Sequence, residues 1–147
     1  MAHARKSIRD DIKTTLTGLT TTQSNVFQSR VYPIDTAKLP GILIFNRSED
    51  VEYTTVSFAR MQNRNCSFDI EVYVRGTANY DNTLDQICLE IEEALTTDLT
   101  RGGNAKDTRI TSFQADFNSD GEQPVAVARL TVEVTYQVRE NNPDVSI

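Results

Sequence analysis

The sequence predicts an α+β fold: a mostly antiparallel β-sheet with two α-helices packed on one face. Strand-like runs follow one another directly, two or three before the second helical segment and two after it, without repeated strand–helix–strand alternation. Two segments space their apolar residues as helices do, and the second carries a stripe wide enough to cover a sheet. The 147 residues suit one domain spanning 1–147, a length that buries roughly 68–70% of the unfolded surface in a single core.

Residues 3–19 form the first helix, with Ile8, Ile12, Leu16 and Leu19 at spacings of four and three. Gly18 and the polar run after it end the helix. Arg5, Lys6 and Arg9 crowd the first turns, where the helix dipole disfavours cations. They either meet an acidic partner or form a solvated face. Residues 25–31 make a short strand. Pro33 and Pro40 interrupt ladder hydrogen bonding, so the stretch 30–45 reads as strand, turn, strand. Ile42 to Phe45, apolar without alternation, suits a central buried strand. Residues 46–50 are polar and read as a loop, and 51–58 as an arm or an edge strand.

Residues 65–75 give the clearest strand, with Cys66, Phe68, Ile70, Val72 and Val74 on one face. Gly76 to Asn79 breaks it. The second helix covers 82–97, with Asp81 as the expected N-cap. Its apolar stripe runs through Leu84, Ile87, Cys88, Ile91, Ala94 and Leu95, while Glu90, Glu92 and Glu93 are expected to face water. After a loop at 100–107, residues 109–117 alternate Ile110, Ser112, Gln114 and Asp116 against Thr111, Phe113, Ala115 and Phe117. A turn at 118–121 joins this strand to the last as an antiparallel hairpin.

The last strand is unusually long. From Val125 to Val138, at roughly 3.3 Å per residue, it reaches on the order of 45 Å, whereas strands usually run about 5–6 residues. Ala126, Ala128, Leu130, Val132, Val134, Tyr136 and Val138 face the core. Arg129, Thr131, Glu133, Thr135 and Gln137 face the other way. The expectation is that the core uses only part of this length and that the polar side, Arg129 and Glu133 included, suits a subunit-facing or lumen-facing surface. Pro124, lacking an N–H, is expected to discourage edge addition where the strand begins.

Catalytic signals are few. His3, the sole histidine, lies near a terminus expected to fray, with no partner in view, so His-based catalysis and metal clusters have no basis. Cys66 and Cys88 read as reduced core residues. Asp116 to Gly121 matches the first half of a calcium loop, but the twelfth position is Val127 where a bidentate Glu is needed, and the flanks are strands. Arg101-Gly102-Gly103 is too short to hold phosphate. The net charge of −6 argues against nucleic-acid binding through a broad basic face. The longest apolar run, Ile42 to Phe45, is too short to span a bilayer, and no secretion signal follows the basic residues near Met1. No cofactor and no enzymatic activity are expected.

Several stretches in order carry a resemblance. They are His3 to Lys6 with Ile8-Arg9-Asp10, Ser29 to Pro33, Leu39-Pro40, and Tyr80 to Asp85. Gly121 to Val125 leading into Ala128 to Thr131, and Glu140 to Asp144, complete the set. With them the chain resembles the tail terminator proteins of long-tailed bacteriophages over nearly its whole length. Residues 46–64 carry no matching motif.

The resemblance implies a ring, typically of six subunits, on the head-proximal end of the tail tube. Such a ring stops tube polymerisation and presents a docking surface to the head. Its partners would be copies of itself, the tail tube protein and the head–tail connector or neck proteins. The implied location is the virion, after assembly in the host cytoplasm. DNA would pass through the lumen without specific binding, helped by like-charge repulsion from acidic subunits. A head-to-tail ring needs two different complementary patches per subunit. The basic Arg5, Lys6, Arg9 end and the acidic Glu90, Glu92, Glu93 face offer one such pair. Another neck component, for head completion or connector joining, is the nearest alternative. A small-ligand-binding α+β domain is a more distant one and would require an apolar pocket with convergent polar groups.

Overall fold

The computed structural model describes residues 2–28, 39–76, 78–118 and 124–147. Among them run two helices, α1 (Ala4–Leu16) and α2 (Tyr80–Thr96). The strands are β1 (Val26–Gln28), β2 (Gly41–Tyr53), β3 (Met61–Arg75), β4 (Asp107–Asn118) and β5 (Val125–Arg139). They form one sheet in the order β1-β2-β3-β5-β4, antiparallel except for the parallel β1–β2 pair. The fold is α+β. Arg30 to Asp35, and the expected turn beyond Asn118, lie outside the described residues.

Both helices cover the same sheet face. Ile8, Ile12 and Leu16 of α1 and Leu84, Ile87, Cys88, Ile91 and Leu95 of α2 join one core with Phe68, Ile70, Leu130 and Val132. The opposite face carries Glu71, Tyr73, Arg129 and Glu133 and has no helix over it among the described residues. Gly18 follows α1 at φ +95°, a left-handed conformation open to glycine at little steric cost, and its N–H donates to the Gln23 carbonyl.

The length of β5 has a different origin from the one expected. All seven inward residues from Ala126 to Val138 are at most 2% exposed, so the core uses the whole strand. β5 is an interior strand. It pairs with β3 at every position from Met61↔Arg139 to Arg75↔Val125, and with β4 on its other side. Pro124 therefore guards no edge; its carbonyl accepts the Gly76 N–H at 2.8 Å. A Cβ on Gly76 would stand 2.6 Å from the Phe117 ring, which is why the chain passes there without a side chain.

Two β-bulges change which side chains face the helices. In β2 the register shifts between Asn46 and Ser48, with Arg47 as the extra residue. Residues 46–50 are thus strand and not loop, and Glu49, opposite Cys66, turns toward the helix side. In β4 the shift falls between Ile110 and Ser112. Ile110, opposite Val132, joins Phe113, Ala115 and Phe117 on the helix side, which a strict period of two forbids.

Both helix N-termini also depart from expectation. His3 does not stand alone: its Nδ1 accepts the Arg5 N–H at 3.1 Å and caps α1, while the Ala4 N–H donates to the Pro143 carbonyl at 3.0 Å. Burial, then the Arg5 and Arg64 charges, lower the His3 pKa and favour the neutral ring that accepts this bond. At α2 the N-cap is Asn79, left-handed at φ +66°, and Asp81 lies inside the first turn.

Candidate assembly interface

The basic end of α1 is paired within its own chain. Arg5 Nη1 donates to Glu49 Oε2 at 2.6 Å, and Arg64 Nη1 reaches the same oxygen at 3.1 Å. The Tyr136 hydroxyl donates to the other oxygen, Oε1. The Glu49 side chain is only 9% exposed, and these donors offset the desolvation of its charge. Lys6 pairs with Asp10 at 2.6 Å one turn on, and Arg9 Nε donates to Gln28 Oε1 at 2.8 Å. The Arg5 and Arg9 bonds tie the start of α1 to β2 and β1, while the Lys6 pair stays within the helix.

The acidic side of α2 divides in two. Glu90 does not simply face water: it accepts the Thr21 N–H at 3.0 Å and the Thr21 hydroxyl at 2.6 Å, holding the α1–β1 loop against the helix. Burial alone would raise its carboxyl pKa, but bonds from Thr21, Gln86 and Thr20 outweigh that and hold it below its ordinary value. Glu92 and Glu93 are exposed and have no ion pair among the described residues.

On the open face, Arg129 donates to Glu71 and Arg109 Nη2 donates to Glu133 at 3.0 Å. A shallow depression of about 560 Å³ lies here, lined by Glu71, Tyr73, Gln114, Asp116, Val127 and Arg129. It is as polar as the strand faces that build it. Among the described residues, no group of three or more His, Cys, Asp or Glu is placed to hold a metal ion. No helix of the described residues is long and apolar enough to cross a membrane.

Arg101 is completely buried beyond the C-terminal end of α2. Its guanidinium donates to the carbonyls of Leu95 and Asp98 and stands 3.5 Å from Asp11 of α1. A cation at this helix end complements the dipole and satisfies carbonyls that have no partner within the helix. Burial lowers the Arg101 pKa, against the opposing pull of Asp11 and Asp98.

Exposed apolar groups gather at two places, apart from single residues such as Leu99, Val145 and Ile147 elsewhere. The first is the turn of the β2–β3 hairpin, where Val56 is 95% and Phe58 82% exposed. The second is a groove between α2 and β4, where Leu89 and Phe113 are about half exposed beside Ile110 and Leu130. Neither belongs to the candidate surface expected from the sequence. Val56 and Phe58 were visible as apolar residues in a polar stretch; the groove needed the β4 bulge to bring Ile110 beside Phe113.

Helices thus cover one face of the sheet, many charged side chains pair within the chain, and apolar groups are exposed at a hairpin turn and a groove. Residues 3–136 match the family model of phage minor tail protein U, and the chain belongs to that family. It is a structural protein of a phage tail. No curated protein matches the chain. A chain from the virion of a native gene transfer agent particle overlays with a TM-score of 0.36 at 12% identity, covering 90% of this chain and 92% of that one. That likeness is too loose to carry function across.

Proposed function

We propose that the protein closes the head-proximal end of the tail tube as a ring of six copies, ends tube polymerisation, and offers the surface on which the head connector docks. The observation that carries this reading is the family match over residues 3–136, joined by the likeness to tail terminators in the motifs from His3 to Asp144. The role needs no catalytic group and no cofactor. Its partners are further copies of the chain, the tail tube protein and the connector or neck proteins. DNA crosses the lumen unbound, and the net charge of −6 per subunit favours sliding over sticking. Of the residues first considered for subunit contact, the exposed Glu92 and Glu93 are the freest to meet a neighbour. Arg5, Arg9, Glu90, Arg129 and Glu133 contribute mainly by shaping the subunit.

Tail length provides the test. Particles assembled without this protein should carry overlong tails by electron microscopy. Tails of normal length that fail to attach to heads would instead assign it to the head side of the neck.

A further inference from the structure

We propose that the β2–β3 hairpin turn of one copy seats Phe58, with Val56 beside it, in the α2–β4 groove of the next copy. This rests on the ring reading and names the contact that would build it.

The turn is held in shape. The Thr54 N–H donates to the Met61 carbonyl at 2.9 Å, and the Met61 N–H donates to Thr55 Oγ1 at 2.9 Å. The end of β5 clasps it from the side: the Arg60 N–H donates to Glu140 Oε1 at 3.1 Å, and Arg139 Nη1 donates to the Ala59 carbonyl at 3.2 Å. Phe58 and Val56 are thus presented on a turn whose two ends are hydrogen-bonded, which limits the ordering that docking must supply. An aromatic group so placed is the usual kind of interface anchor.

The groove complements it in polarity and charge. It measures about 340 Å³, with Leu89, Ile110, Phe113 and Leu130 as its apolar lining and Asp85 and Glu92 as acidic groups beside them. The base of the hairpin carries cations in Arg60, which pairs with Glu140, and in the exposed Arg139. Glu92 has no cation within its own chain among the described residues, and Arg139 would supply one from the neighbour.

The two patches cannot meet within one subunit. Leu130 lines the groove and Arg139 stands at the hairpin base, nine residues further along β5, so roughly 30 Å of strand separates them. Two different, complementary and mutually distant patches on one chain make a head-to-tail contact, the kind that closes into rings.

The contact can be trapped by cysteine pairing. In a Cys88→Ser background, which removes the native thiol from the groove lining, Phe58→Cys and Phe113→Cys proteins, each pure, should give almost no disulfide dimer under mild oxidation. Mixed, they should give the crossed dimer, and the double variant should give a ladder extending past dimer. Phe58→Ser should leave the thermal melt of the monomer unchanged, because the side chain is exposed, while weakening assembly at least about tenfold. If wild-type protein forms a ring by native mass while the mixture gives no crossed dimer and Phe58→Ser assembles normally, the hairpin–groove contact is wrong and the ring stands. If wild-type protein remains monomeric both alone and on purified tails, the ring reading falls and this contact with it.

Discussion

Arg129 Nη2 donates to Glu71 Oε2 at 2.7 Å, with Nε at 3.2 Å from the same oxygen, while the Tyr73 hydroxyl holds the other Glu71 oxygen at 3.0 Å. The two residues are direct cross-strand partners on β5 and β3. Burial, then the neighbouring Glu71 charge, push the Tyr73 pKa up to about 12, so its hydroxyl stays a donor at neutral pH. The polar side of β5 is therefore a hydrogen-bonded surface of the subunit itself.

Arg129→Glu should destabilise the monomer as well as alter its surface. It sets a carboxylate directly opposite Glu71, whose side chain is 11% exposed, and removes both donors. Because the Arg129 side chain is 47% exposed, solvent screens the pair and the loss should stay near about 1–2 kcal/mol, read from the urea midpoint. Arg129→Gln should lose less. An unchanged midpoint for Arg129→Glu would mean that the pair adds nothing to stability.

Arg101→Ala should be among the more damaging single changes. It leaves the Leu95 and Asp98 carbonyls without their donor, empties a fully buried site and strips Asp11 of its cation. A loss of about 3 kcal/mol is expected, lowering the melting temperature by roughly 6–12 °C at this chain length. Arg101→Lys should rescue only part, since one ammonium cannot span the separate carbonyls and the carboxylate.

Asp98 fastens the loop after α2. Its carboxylate accepts the Thr100 hydroxyl at 2.6 Å, the Thr100 N–H at 2.9 Å and the Gly102 N–H at 2.9 Å, and these bonds lower its pKa to about 2. A depressed folded-state pKa contributes stability that is complete above the unfolded value of 3.8 and disappears as pH falls toward 2. Asp98→Ala should lower stability at pH 6 and flatten the acid limb between those values. Denaturant titrations of both proteins across that range check the sign.

Both cysteines should resist thiol reagents in the native state. Burial, then the nearby Glu49 charge, push the Cys66 pKa up to about 12, and burial, then Glu92 and Asp85, push Cys88 up to about 11. At pH 8 the thiolate fraction of each is very small and access is poor. Labelling with an aromatic disulfide should proceed at the rate of opening and become immediate in denaturant. Rapid native labelling of Cys66 would contradict its place beneath α1.

The α+β class, both helices, the inward side of β5 and the β3 alternation are all legible in the residue pattern alone. Each of these follows from a periodicity that local geometry imposes, 3.6 residues in a helix and two in a strand. A run such as Cys66 to Val74 or Leu84 to Leu95 has one way to bury its apolar side. A sequence shows charge without showing its partner, so Arg5 and Arg129 look like free surface cations until the fold supplies their carboxylates. Arg5 finds Glu49 and Arg129 finds Glu71 across 44 and 58 residues.

Strand order and register account for the rest. Whether β5 overran its core depended on its place inside the sheet, between β3 and β4, and strand order is a property of the whole chain. Which way Glu49 and Ile110 point depended on bulges at Arg47 and Thr111, where one unpaired residue reverses every later side chain and leaves no compositional mark. The apolar groove beside α2 exists because that reversal sets Ile110 next to Phe113. Periodicity fixes which side of an element is apolar; neighbours and register fix what that side meets.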